Sequence, residues 1–148
     1  MRSDAQSGTI LLVDDSVAIR TLTKKFLGQA GYSVATAADG REGLRYYQQH
    51  QSSIILLLTD VMMPNMNGLE LAEQVLRIDP QLPVLFMSGD AESVFRGLEC
   101  LAKPFQLAQL LESLNRLLNR NTHLEKTGTR SIALAEALKA LERRSLRI

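Results

Sequence analysis

Ile54-Ile55-Leu56-Leu57-Leu58-Thr59-Asp60 is a five-residue apolar run closed by a threonine and a lone carboxylate, and the irregular stretch Val61-Met62-Met63-Pro64-Asn65-Met66-Asn67-Gly68 follows it. A strand buried on both faces reads as an unbroken apolar run, the mark of a parallel sheet covered on both sides. In open sheets of that kind, ligands bind beyond the carboxyl ends of the strands. Asp60 stands at such an end and is the first candidate for chemistry.

Working outward, Thr9 to Val13, Tyr32 to Thr36, Pro83 to Met87 and Glu99 to Ala102 share the short, aliphatic or β-branched character of Ile54 to Thr59 and read as strands. Helical patterns lie between them. Ile19, Leu22 and Phe26 recur at spacings of three and four, as do Leu107, Leu110, Leu111, Leu114 and Leu118; two more helices fit Gly40 to Gln51 and Gly68 to Asp79. Strict alternation with right-handed crossovers predicts an α/β doubly wound domain over residues 9 to 119, its five-stranded parallel sheet in the order 2-1-3-4-5 with helices on both faces. After the turn Gly89-Asp90, only Ala91 to Gly97 remain for the helix between the fourth and fifth strands. Seven residues make about two turns, so that helix is expected to be short or irregular.

Composition limits the function classes. With 45% hydrophobic residues the chain can build a core, and 22% charged residues is the level of a water-soluble protein. The longest apolar run falls well short of the roughly 18 residues a membrane span needs, and Met1 to Gly8 lacks the apolar segment of a signal peptide, so the expected location is cytoplasmic, away from any membrane. A single cysteine, Cys100, excludes an internal disulfide framework, and two histidines make a histidine metal cluster a poor expectation. The net charge of +1 conceals an acidic body and a basic tail, since residues 120 to 148 carry seven Lys or Arg against three Glu.

Asp14 and Asp15 follow the first strand as Asp60 follows the third, and those strands are neighbours in the predicted order, so three carboxylates should converge at one sheet edge. Such a cluster repels itself unless protons or a cation relieve it. Oxygen-only ligands with open positions suit Mg²⁺, or Mn²⁺ in its place. The competing reading is that Asp14 or Asp15 caps the next helix, where Asp is favoured anyway. The fourth strand ends in Ser88-Gly89 and the fifth in Lys103-Pro104-Phe105, adding a hydroxyl and an ammonium suited to phosphate oxygens at the same edge. Together these groups describe a phosphoryl-transfer site with Asp60 as nucleophile and Lys103 and Ser88 in attendance.

Leu12-Val13-Asp14-Asp15, Asp60 to Gly68, Ser88-Gly89 and Lys103-Pro104-Phe105 resemble the receiver domain of two-component response regulators over residues 9 to 119. The resemblance implies that Asp60 accepts a phosphoryl group from a histidine kinase or a histidine phosphotransfer protein. It also implies that Asp14, Asp15, Asp60 and the Met62 backbone carbonyl hold the metal, and that Lys103-Pro104 is a cis peptide. Ser88 and the position three before the lysine would form the conformational switch. That position is usually aromatic in the family; here it is Cys100, too small to make the same swing. Met62 and Asp90, each two places after a site residue, would flank the water that hydrolyses the phosphate, and a thioether is a poor partner for water. Helix 1, with Arg20, Lys24 and Lys25, is where the resemblance puts kinase contacts.

Beyond residue 119, residues 120 to 130 read as a polar linker and residues 131 to 148 as an amphipathic helix, Leu134, Leu138 and Leu141 on one stripe and Arg143, Arg144 and Arg147 at the basic end. Three readings compete for it: docking on its own domain, pairing with another chain or partner, or the remnant of an output region. A homodimer could form through this helix, or through the face of the fourth helix, the fifth strand and the helix after it. One helix is too little for a helix-turn-helix, which argues against direct DNA binding, so output to a still unknown partner would pass by protein contact or phosphorelay. Two other function classes stand beside the receiver. A phosphatase of the haloacid dehalogenase type wants a second aspartate two places after the nucleophile, where this chain has Met62; a phosphorylation-independent interaction domain would not need the intact Asp14, Asp15, Asp60, Ser88 and Lys103 set.

Overall fold

Alternate residues of the Ile54 to Asp60 run go to opposite sides of a sheet, and each side meets its own layer of helices. A computed structural model describes residues 8–89, 97–119 and 127–145. The strands are β1 (Thr9–Val13), β2 (Ser33–Ala37), β3 (Ile54–Asp60), β4 (Val84–Ser88) and β5 (Cys100–Ala102). They form one parallel sheet in the order β2-β1-β3-β4-β5, the order expected from the sequence. The helices are α1 (Val17–Gln29), α2 (Gly40–Gln49), α3 (Gly68–Ile78), α4 (Leu107–Leu118), which follows β5, and α5 (Thr127–Ser145).

Leu11 and Val13 of β1, Leu57 of β3, and Val84 and Phe86 of β4 pack with Tyr47 of α2, Leu69, Leu71, Ala72 and Val75 of α3, and Leu134 and Ala137 of α5. Their sequence neighbours Ile10, Leu12, Leu56, Leu58, Leu85 and Met87 point the other way, toward Leu27 of α1 and Leu110, Leu114 and Leu117 of α4. Both sides of the central strands are therefore dry, which is why those strands show no polar alternation. Truncating one such leucine to alanine costs roughly 2–5 kcal/mol.

Three helix starts are set by side chains. Ser16 caps α1 and accepts from the Ile19 amide at 3.3 Å, Asp39 caps α2, and Asn67 with Glu70 forms a reciprocal capping box on α3. The capping role open to Asp14 or Asp15 thus falls to Ser16, which leaves both aspartates for other work. The Lys103-Pro104 peptide is cis, as the resemblance implied. Most of the stretch from Ala91 to Gly97, expected to hold a short or irregular helix, lies outside the described residues, as does Asp90. The tail differs from expectation at its start: the helix begins at Thr127, inside the stretch read as linker, and its last residues, 146 to 148, lie outside the described residues. Polarity alone hid that start, because Thr127, Gly128, Thr129 and Arg130 carry no apolar periodicity. Of the three readings of the tail, docking on its own domain is the arrangement seen.

Gly68 holds the turn that returns the chain from Asp60 to α3. Its amide donates to the Val61 carbonyl at 2.8 Å, and a methyl group there would be driven into the Asp60 carbonyl oxygen. Gly28, by contrast, has open space where a methyl would go. Gly68→Ala is expected to lose about 3 kcal/mol of stability through overpacking against backbone, and Gly28→Ala to gain about 0.5 kcal/mol from helix propensity. Urea unfolding followed by circular dichroism measures both; equal midpoints for Gly68→Ala and the parent would contradict the packing described here.

Candidate functional site

Four chain segments end at the same edge of the sheet. Asp14 follows β1 and is fully buried, Asp60 ends β3 and is nearly so, and Asp15 faces solvent beside them. One carboxylate oxygen from each of the three lies within 4.8 Å of the others. Lys103, one residue beyond β5, brings its ammonium to 3.0 Å from Asp14 Oδ2 and 3.2 Å from Asp60 Oδ1. Two of the three carboxylates thus share one ammonium at ion-pair distance.

Backbone groups hold the carboxylates in place. Asp14 Oδ1 accepts the Ser16 amide at 2.8 Å, leaving Oδ2 to Lys103, and Asp60 Oδ1 accepts the Val61 amide at 3.0 Å. The Asp14 amide is fixed to the Ala37 carbonyl of β2 at 3.2 Å, and Arg20 reaches back from α1 to donate to the Asp14 carbonyl at 2.6 Å. Lys103 is anchored through its own amide, which donates to the Ser88 carbonyl at 2.8 Å. The last pairing of β4 with β5, Ser88 opposite Ala102, brings Ser88 to the same edge as Lys103.

Burial raises the Asp60 carboxyl above the ordinary carboxylate range; the Lys103 charge opposes this and the Asp14 charge reinforces it. For Lys103, burial works against the ammonium, but the hydrogen bond to Asp14 and the charges of Asp60 and Asp14 outweigh it and the group is held above its ordinary value. Lys103 is therefore a permanent cation near neutral pH, while Asp60 carries a charge its surroundings only partly support. An oxygen-rich cluster with excess negative charge and a solvent-facing member fits a divalent cation of the Mg²⁺ or Mn²⁺ kind, which prefers carboxylate and carbonyl oxygen and keeps several waters.

Met62 stands in the loop after Asp60 and is 60% exposed, so this residue faces solvent beside the site. Cys100, expected at a switch, is not brought to the carboxylates: it starts β5 opposite Phe86 and packs at the margin of the apolar layer beneath α5. Its thiol is pushed up to about 11 by burial and stays protonated near neutral pH. Two contributions escaped the sequence reading, which placed Arg20 only among kinase contacts. Arg20 is one, visible in retrospect as a cation one helical turn after Ser16. The other is Asp39, whose Oδ1 caps α2 through the Glu42 amide at 2.9 Å while Oδ2 accepts from Asn65 Nδ2 at 3.2 Å, pinning the loop that carries Met62. Asn65 sits at φ 71°, a left-handed conformation in which asparagine is better tolerated than most residues. The pattern Asp39-Gly40-Arg41-Glu42 was the available signal for that cap.

Comparison with known proteins locates this arrangement. Residues 10–115 match the family model described as the response regulator receiver domain. The chain is 31% identical over 142 residues to the transcriptional regulatory protein TrcR of Mycobacterium tuberculosis, covering 91% of this chain and 54% of that one. It thus spans about half the length of that relative. Against the chemotaxis protein CheY of Thermotoga maritima it is 31% identical over 116 residues, 73% of this chain and 95% of that one. The crystal structure of a response regulator receiver domain protein from Clostridium thermocellum superposes with a TM-score of 0.72 at 29% identity, over 80% of this chain and 99% of the other. The likeness extends over nearly the whole of two of these relatives and coincides with the sheet and the edge where the carboxylates meet: the chain belongs to the response regulator receiver domain family of two-component signalling.

Proposed function

We propose that residues 9 to 119 act as a phosphoacceptor, taking a phosphoryl group onto Asp60 from a phosphohistidine of a kinase or phosphotransfer protein. The observation that carries this reading is the Lys103 ammonium bridging Asp14 and Asp60 beside a third carboxylate. An Asp60 carboxylate oxygen attacks phosphorus, the phosphorus–nitrogen bond to imidazole breaks with its electron pair going to the ring, and an acyl phosphate remains. Lys103 then exchanges its carboxylate contacts for a phosphoryl oxygen, and the Ser88 hydroxyl donates to another. Asp14, Asp15, Asp60 and the Met62 carbonyl are the residues that would hold Mg²⁺ or Mn²⁺. Bound there, the cation supplies neutralisation of the charge on the carboxylates and on the phosphoryl oxygens. Arg20 and the Asp39–Asn65 bond are positioning groups for the Asp14 segment and the Met62 loop.

Three outcomes test this reading. Incubation with Mg²⁺ and a small phosphodonor, followed by intact mass, should give an adduct of one phosphoryl group that is lost in Asp60→Asn; an undiminished adduct in that variant would remove Asp60 from the role. Asp60 also makes stability depend on pH. Its folded carboxyl is raised, so the stability it confers is complete below the ordinary carboxylate range and is lost as pH rises through the raised value. Asp60→Asn should therefore unfold at higher urea than the parent near neutral pH, with the gap closing as pH falls into the carboxylate range. Mg²⁺ should close the same gap from the other side, raising the parent by about 2.7 kcal/mol at a hundredfold excess over its dissociation constant. A parent more stable than Asp60→Asn at neutral pH without metal would contradict the electrostatics. Finally, Met62→Asn gives a hydrolytic water a partner that the thioether does not, and the phosphorylated lifetime should shorten several-fold. An unchanged lifetime would show that the Met62 side chain does not limit hydrolysis of the phosphate.

A further inference from the structure

The tail helix α5 lies outside the family match, which ends at residue 115, yet it is built into the core. Leu134, Ala137 and Ala133 are buried, and Leu138 and Leu141 are partly so, packed in one layer with Val75 of α3, Val84 and Phe86 of β4, and Leu98 and Cys100 at the entrance to β5. The attachment is close but small. Gly97 has φ +83°, and the position its missing methyl would take is 3.0 Å from the Ala133 methyl, so the chain entering β5 passes α5 at close contact. Arg130 donates to the Pro80 carbonyl at the turn between α3 and β4. The opposite face of the helix carries Glu136, Lys139, Glu142 and Arg143 in solvent.

We propose that α5 is the chain's own output element, held on the β4–β5 face in the unphosphorylated chain and released when Asp60 is phosphorylated. The proposal rests on Asp60 as phosphoacceptor. Val84, Phe86 and Ser88 alternate onto one side of β4, and the β4–β5 register pairs Phe86 with Cys100 and Ser88 with Ala102. The strand pair that ends at Ser88 and Lys103 therefore belongs to the apolar layer in which α5 packs beside α3. Drawing Ser88 and Lys103 toward a phosphoryl group moves that layer. Contacts made by alanine and glycine at closest approach have no slack and are lost when the backbone shifts, since packed interiors do not deform continuously. Among its described residues Leu134 is the one buried large side chain, so α5 is a shallow enough attachment for such a shift to release it. Release uncovers two apolar surfaces at once, the stripe of the helix and the sheet face beneath it, and both are then available to a partner.

Hydrogen–deuterium exchange on the full chain, with beryllofluoride and Mg²⁺ as the phosphoryl stand-in, tests this. Amides of residues 127–145 should exchange at least about tenfold faster in the complex, a fold-change that corresponds to a free-energy shift of about 1.4 kcal/mol, while α3 keeps its protection. Coupling between two sites is reciprocal, so loosening the tail must strengthen binding at Asp60. Leu134→Asp, and Leu138→Asp as a milder change at a partly exposed position, should expose the tail amides without ligand and tighten beryllofluoride binding in calorimetry by the same factor. Binding of beryllofluoride with unchanged tail exchange would overturn the release of α5 and leave the phosphoacceptor reading standing. No binding at all would overturn both, and unchanged affinity in both folded tail variants would show that docking and phosphorylation are independent.

Discussion

The ion pairs that Lys103 makes with Asp14 and Asp60, at 3.0 and 3.2 Å, are the constraint around which the molecule is arranged. Two buried carboxylates side by side cost folding free energy, and one ammonium across both of them offsets part of it. For that ammonium to arrive, β5 must end where β1 and β3 end, and the Lys103 amide must be held on the Ser88 carbonyl. The sheet order and the β4–β5 register meet that condition. The compensation is incomplete, and the raised Asp60 carboxyl records what is left over. The residual negative charge is what suits this edge to a divalent cation.

The apolar framework works through the same strands. Ile10, Leu12, Leu56 and Leu58 send one set of side chains to α1 and α4, and their neighbours send the other to α2, α3 and α5. The α1 and α4 side lies within the family match, whereas the other side carries α5 in addition. One layer is built by helices the family match reaches, and the other also carries a helix beyond residue 115.

Much of this was legible in the residues. The unbroken run from Ile54 to Leu58 could only be a strand dry on both sides, and its neighbours at similar spacing implied the sheet order. Asp14, Asp15, Asp60, Ser88 and Lys103 could be placed together because each follows a strand directly, and strand ends are the positions topology determines best. The resting place of α5 was harder to read: a stripe of Leu134, Leu138 and Leu141 states that one face is apolar, not which surface receives it, and the alanines that set the close approach carry little periodic signal. The Arg20 and Asp39–Asn65 contacts were hidden for a related reason, since long-range hydrogen bonds between polar side chains and loops leave no period in the sequence. Cys100 was placed at a switch by analogy, and its packing in the apolar layer with the tail is a contact that the analogy does not indicate.

A crystal structure of the chain grown with Mg²⁺ and beryllofluoride tests the central claim most directly. The account predicts beryllofluoride on an Asp60 carboxylate oxygen, the Lys103 ammonium moved onto a fluoride, and one cation about 2.1 Å from carboxylate oxygens of Asp14 or Asp15 and Asp60 and from the Met62 carbonyl. A cation bound elsewhere, or an adduct on Asp14 in place of Asp60, would contradict it.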